Sequence, residues 1–326
     1  MSINVNTFSR AELQAQLLKL LQSQRIPAVA APMFLVSSPE LTIACSKAGI
    51  VGSIPAPNAR TVEQLDQWLE KISTELGPEK NEGKSYPWLL NMIVHSTYNR
   101  FEAEVELVKR YKPALVTTAL GSPKRVLSTV HEYGGLVMAD VITPAMARKS
   151  VEAGVDGVIL VCNGAGGHTG TYNPFSFIAE VREFWDGPIG LAGGVSNGAD
   201  IHAARVLGYD FVLVGTRLIP AAESMVSDEY REMLVNSTIE DIVPSRSLSG
   251  VMANWLKPSL ERAGFDLSTV KTAEIDFSGN MASETKAWKH IWSAGQGVGQ
   301  IKSLYTAAEL IDELEAGYKQ SLARKI

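Results

Sequence analysis

Eight apolar runs of strand length, separated by segments of helical spacing, constrain this chain more than any other feature. They fall at Ala28 to Ala31, Ile50 to Ile54, Trp88 to Val94, Ala114 to Leu120, Leu136 to Ile142, Gly157 to Asn163, Ile189 to Val195 and Phe211 to Ile219. Their apolar character is continuous rather than alternating, which marks strands covered on both faces, as in parallel sheets crossed by helices. The segments between them carry helix signals: Ala145 to Ala153 follows Pro144 and ends at Gly154, and Ala199 to Leu207 ends at Gly208. Eight βα units within about 220 residues are what a TIM-type (β/α)8 barrel requires. A doubly wound open sheet is the competing fold. It would concentrate glycine after the first strand, whereas here that strand ends APMF and the glycine clusters follow the sixth, seventh and eighth.

The remaining chain fits one barrel with an insertion. With 326 residues, 45% of them hydrophobic, it can fill a sizeable core. After Ile219 the texture changes: the segment 222–289 holds no further βα repeat but helical pieces such as Asp228 to Leu234 and Asn254 to Ala263, broken by Pro244 and Pro258. This reads as a small helical subdomain inserted after strand 8, with 1–221 and 290–326 forming the barrel. The amphipathic stretch Ala307 to Ala323 is placed to close its outer ring. At the other end, Leu13, Leu17, Leu20 and Leu21 have the spacing of an amphipathic helix rather than the unbroken apolar run of a signal peptide, and no segment has the length of a membrane span.

Thirty Lys and Arg against 35 Asp and Glu give a formal net charge of −5, so no basic field is available to hold nucleic acid or an anionic membrane. A small-molecule partner is the expectation, and a homo-oligomer is compatible with it. Two cysteines, Cys45 and Cys162, are too few for a disulfide framework and read as apolar packing, which makes a cytoplasmic location the default.

In a barrel the residues at the C-terminal strand ends share one cavity. Collected there are Met33, Asn91, Asp140, His168, Gly193, Gly194, Gly215, Thr216 and Arg217. The loop NGAGGHTG after the sixth strand places four glycines around His168, which suits a backbone that approaches a ligand closely beside an imidazole able to exchange a proton near neutral pH. LAGGVSNG and VGTR put Gly-Gly and Gly-Thr turns on successive βα units, where backbone amides can cradle a phosphate without a lysine. Either turn alone reads equally as tight packing; the pair is what points to phosphate. Ser293 and Gln296, in WSAGQG, could reach a cofactor or substrate from the C-terminal segment. His95, His131, His202 and His290 read as structural, Gly121 and Ser122 as a helix cap, and no His, Cys and carboxylate cluster has metal spacing.

APM, NMIV, GAGGHTG, LAGGVSNG, VGTRLIPAAES and WSAGQG together resemble the FMN-dependent nitronate monooxygenases, formerly called 2-nitropropane dioxygenases. The resemblance spans essentially the whole barrel and the C-terminal segment. It is specific in GGHTG and the paired GG and GTR turns, and loose in the insertion. It implies an (αβ)8 barrel with a helical second domain, noncovalent FMN, and oxidation of alkyl nitronates with O2 to carbonyl compounds and nitrite. By position it implies that Pro32 and Met33 lie along the flavin ring, that Asn91 hydrogen-bonds to the cofactor, that Gly166 and Gly167 lie near it, and that Gly193, Gly194, Gly215 and Thr216 hold its phosphate. His168 matches the family's catalytic base; a nitronate needs no deprotonation, so His168 is expected chiefly to place the anionic nitro group, by a hydrogen bond or as imidazolium. One departure concerns Asp140, a cofactor-binding candidate: many members carry a lysine there. The alternatives on the same scaffold are a flavin-dependent enoyl-acyl-carrier-protein reductase and an NAD(P)H:quinone reductase. A noncatalytic flavin or phosphate-ligand binder is a further class, against which a base in the glycine loop argues.

Overall fold

The computed structural model describes residues 8–248, 250–265 and 291–324. Eight parallel strands form the barrel: β1 (Ala28–Ala30), β2 (Gly52–Pro55), β3 (Trp88–Ile93), β4 (Leu115–Ala119), β5 (Leu136–Val141), β6 (Gly157–Val161), β8 (Ile189–Ala192) and β9 (Phe211–Val214). Each lies beside its neighbour in sequence, in the order β1-β9-β8-β6-β5-β4-β3-β2. The ring closes where Val29 bridges Val51, with the Val51 carbonyl accepting from Ala30 N at 2.8 Å. All eight expected strands are present.

Helices cover the outside: α1 (Arg10–Gln22), α2 (Pro39–Ala48), α3 (Val62–Leu76), α4 (Phe101–Tyr111), α5 (Lys124–Glu132), α6 (Pro144–Ala153), α7 (Pro174–Arg182) and α8 (Gly198–Val206). Their starts follow local chemistry. Ser38, Thr61, Thr143, Asn173 and Asn197 each cap a helix by accepting a first-turn amide, and Pro39, Pro144 and Pro174 occupy first-turn positions that need no N–H. Gly154 ends α6 in the left-handed region, φ 108°, as its position predicts. The C-terminal helix Ala307–Leu322 packs between α8 and α2 and completes the ring after β9.

Strand alternation divides the core in two. One parity faces the helices; the other turns Val29, Val51, Leu89, Leu115, Leu136, Met138, Ile159, Phe211 and Leu213 into the barrel. Leu13, Leu17 and Leu21 of α1 join this inner cluster. Leu17 lies against Gly157, the first residue of β6, so α1 stoppers the N-terminal end of the barrel. Arg10 ties it down, donating to the Val151 carbonyl at 2.6 Å and stacking on Trp185.

Beyond β9 the insertion is helical only in part. Helix α9 (Asp228–Val235) forms where expected, but Asn254 to Leu256 is extended: β10 (Ile242–Ser245) and β11 (Ala253–Leu256) make an antiparallel hairpin, and α10 (Lys257–Arg262) starts only at Lys257. Two causes combine. Pro258 fits the first turn of a helix, and the backbone upstream finds ladder partners in Ile242–Ser245 on one side and in β7 (Gly167–His168) on the other. Residues 266–289 of the proposed subdomain, and His290, lie outside the described residues, as do residues 1–7.

Candidate active site

The barrel interior changes character along its axis. Continuing each inward parity one step past Leu89, Leu115 and Met138 brings Asn91, Thr117 and Asp140 to the C-terminal end of the same interior. They touch: Asn91 Nδ2 donates to Thr117 Oγ1 at 2.9 Å and to Asp140 Oδ2 at 3.3 Å. Asp140 Oδ1 is closed to solvent and has no hydrogen-bond partner among the described residues. Burial pushes the Asp140 carboxyl up to about 7, because removal from water penalises the ionised form.

Above this polar layer lies the His168 loop. Its inner edge hangs on Thr169, whose Oγ1 donates to the Cys162 carbonyl at 2.8 Å. Its outer edge is a strand, with Gly167 opposite Asn254 and His168 opposite Ala253 in β11. The buried Asn254 side chain then spends both Nδ2 hydrogens on this loop, donating to the carbonyls of Asn163 (2.8 Å) and Ala165 (2.7 Å). Burial pushes the His168 imidazole below its ordinary value, which favours the neutral ring.

The glycine turns meet at the same place. Gly193 abuts Gly164 and Ala165, and a Cβ on Gly166 would strike the backbone of Ala294 and Gly295. Thr216 Oγ1 accepts from Gly295 N at 2.8 Å, and Gln296 N donates to the Gly164 carbonyl at 3.0 Å. Gly215 packs against the sulfur of Met33, which joins the ends of β9 and β1. Gly194 differs from the rest: at φ +78° it is exposed, and a Cβ there would meet nothing within 4 Å. The start of α8 is partly committed, since Asp200 Oδ2 accepts from Ser196 N (2.8 Å) and Asn197 N (3.1 Å). The Gly193-Gly194 turn is what remains of that cradle.

The other candidates differ in how they are held. Pro32 is half-buried two residues beyond the end of β1. Ser293 engages through its backbone, which the Tyr230 hydroxyl bonds on both sides, and Tyr230 is itself stacked on Trp292 at 4.7 Å. Gln296 turns its side chain to solvent. Arg217 is buried away from the mouth, donating to the Ser196 carbonyl (2.7 Å) and to Glu313 of the C-terminal helix (2.8 Å). His131 pairs with Asp156 (2.9 Å), His202 with Ser321 (3.0 Å), and His95 with Thr97 (2.8 Å). Cys162 is buried, and that burial pushes its thiol up to about 12. Thr117 and Asn254 were not among the sequence candidates. Strand parity identifies Thr117 once Leu115 is placed inward; no local signal marks Asn254.

Fold and mouth define the class first: an α/β barrel whose candidate site residues gather at the C-terminal ends of its strands. A family model for nitronate monooxygenase then matches residues 15–317, and the chain belongs to that family of flavin-dependent oxidoreductases. It is 27% identical to a nitronate monooxygenase of Paraburkholderia phytofirmans over 91% of this chain and 93% of that protein. Among solved structures it resembles nitroalkane oxidase from Streptomyces ansochromogenes, with TM-score 0.79 and 23% identity over 93% of this chain and 98% of that one. FabK from Thermotoga maritima is similar at TM-score 0.76 and 24% identity, over 94% and 96%. At such identities the two structures share the fold.

Proposed function

We propose that the protein binds one FMN noncovalently in the barrel mouth and oxidises alkyl nitronates with O2 to carbonyl compounds and nitrite. The observation that carries this reading is the convergence of the Gly164–Gly167 loop, the Gly193-Gly194 turn and Thr216 around a single opening, in a chain of this family. The mouth suits FMN on its own chemistry. Gly194 leaves open the space a Cβ would fill, as a phosphate held by backbone amides requires. Pro32, Met33, Asn91, Asp140, Gly166 and Gly167 line the route from that turn into the barrel, and the polar layer there offers both donors and acceptors. The bound flavin supplies the electron transfer; the protein holds, orients and shields. The insertion, 222–289, and the barrel, 1–221 with 290–326, divide this work, the insertion bracing the His168 loop.

His168 acts as a neutral imidazole. In that form its unprotonated nitrogen accepts the α-proton of a neutral nitroalkane, while its N–H donates to the nitro oxygens of a nitronate. Burial makes the imidazolium alternative the weaker one. Ser293 and Gln296 border the substrate side through the backbone they anchor. A cytoplasmic location accompanies this reading.

Heat-release of the cofactor and its mass test the first half: FMN supports the proposal, and FAD or no flavin after reconstitution overturns it. Anaerobic mixing tests the second. Bleaching of the flavin by an alkyl nitronate is expected; bleaching by NAD(P)H alone would transfer the protein to the enoyl or quinone reductases.

A further inference from the structure

We infer that Asp140 stands in the barrel mouth as a protonated carboxyl that donates from Oδ1 toward the bound cofactor, and that flavin reduction draws a proton onto Asp140 wherever the resting enzyme has lost it. The inference rests on the FMN reading above. Its footing is geometric. Inward parity places Asp140 in the mouth layer beside Asn91 and Thr117. One oxygen accepts from Asn91 Nδ2 at 3.3 Å, and the other is closed to solvent without a partner among the described residues. A carboxylate so placed would be a buried charge with a single amide donor, whereas a carboxylic acid has a proton to give on the oxygen that lacks a partner.

Among the described residues no cation offsets a charge on Asp140, whose carboxyl responds to burial alone. From β3 come Asn91 and Ile93, from β4 Thr117 and Ala119, and from β6 Ile159 and Val161. Among the described residues the titratable groups toward this end include His168, held toward neutrality by burial, Cys162, whose thiol is pushed up, His95 beyond β3, and Arg125, whose guanidinium is engaged by the Val94 and His95 carbonyls and by Glu102. The nearest arginine in sequence to the mouth turns, Arg217, is spent on Ser196 and Glu313. Burial alone raises the carboxyl to about 7, which places the change of state near neutral pH. Reduction of a flavin adds negative charge, which an ionised Asp140 would oppose and a neutral one would stabilise. Two electrons, from substrate in turnover or from dithionite in the test, would reduce the bound flavin together with the one proton it takes up itself, and one further proton from solvent would form the O–H bond of the Asp140 carboxyl.

The test is the midpoint potential of the FMN-loaded protein between pH 5.5 and 9, for wild type and Asp140→Asn. One extra proton per two electrons is a tenfold change per pH unit, equivalent to about 30 mV. Above about pH 7 the wild type should therefore fall more steeply than the variant by that amount, while below pH 6 the two lines run parallel. The extra slope should survive His168→Asn. Parallel lines throughout, or loss of the extra slope with His168→Asn, would overturn the inference while leaving bound FMN as the parent reading requires. Absence of FMN would defeat both. Should Asp140→Asn fail to load, the wild type alone decides: labelling aspartate with 13C must reveal a carboxylic-acid C=O infrared band at acid pH that fades through neutrality, and its absence refutes the inference.

Discussion

The two ends of the barrel are made from the same strands and the same inward parity, yet they do opposite things. At the N-terminal end Leu13, Leu17 and Leu21 of α1 fill the interior with branched aliphatic side chains, and the layer above them is wholly apolar. At the C-terminal end the same rows of positions carry Asn91, Thr117 and Asp140, under loops rich in glycine. The contrast shows how a single cylinder separates stability from chemistry. Apolar layers give up their free energy on burial, roughly 1.5 to 3 kcal/mol for each fully buried leucine. The polar layer returns part of it by keeping a carboxyl away from water, and gains in exchange a site where charge is felt strongly.

If the ends are divided in this way, changes at each should be separable. The largest effect belongs to the mouth: His168→Ala should lower kcat/KM for neutral nitroalkanes on the order of 10² to 10⁴-fold, with FMN still bound and the melting temperature little changed. Initial rates on nitroalkane and preformed nitronate decide it. A loss on the nitroalkane alone assigns proton abstraction, a loss on both assigns placement of the nitro group, and wild-type rates on both would remove His168 from the reaction. At the stopper the pattern should invert. Leu17→Ala deletes a side chain with 0% exposure and should cost about 2 to 5 kcal/mol in denaturant unfolding. Activity per bound FMN should stay at the wild-type level, and a parallel loss of turnover in the folded fraction would break the separation.

Legibility in the sequence follows the same line. The strands were readable because burial on both faces leaves continuous apolar runs, and Gly154 and Pro144 fixed the bounds of α6 by backbone geometry alone. The α1 helix was readable from its leucine spacing, but its role was not, since amphipathicity reports that a face is buried and never against what. The candidate site shows the same limit. Glycine turns announced themselves at Gly166, Gly193 and Gly215, whereas Arg217, a plausible site residue by position, bonds to Glu313 on the C-terminal helix. Asn254 failed hardest. NWLKPSLERA has helical spacing, and among the residues that hold its first three positions extended is Gly167, which lies far away in the chain opposite Asn254.

Asn254 also supplies the smallest and sharpest test of how the mouth is built. Among the described residues its two donor hydrogens form the side-chain link between the insertion and the carbonyls of Asn163 and Ala165. Each such bond contributes about 0.5 to 1.5 kcal/mol net, so Asn254→Ala should lower stability by about 1 to 3 kcal/mol. It should also lower kcat/KM for nitronates by about tenfold, because the carbonyls of Asn163 and Ala165 then lose their side-chain tether and the outer edge of the His168 loop keeps only its backbone pairing to the insertion. Asn254→Asp separates bonding from size. It preserves the volume but aims acceptor oxygens at two carbonyl oxygens, and repulsion must either move the loop or protonate the aspartate. The aspartate variant should therefore be worse than alanine above neutral pH and recover toward it as the medium is acidified, with amide exchange at Gly167 and His168 following the same order. Equal behaviour of the two variants at every pH would mean that Asn254 merely fills space, and that the insertion positions His168 through backbone pairing alone.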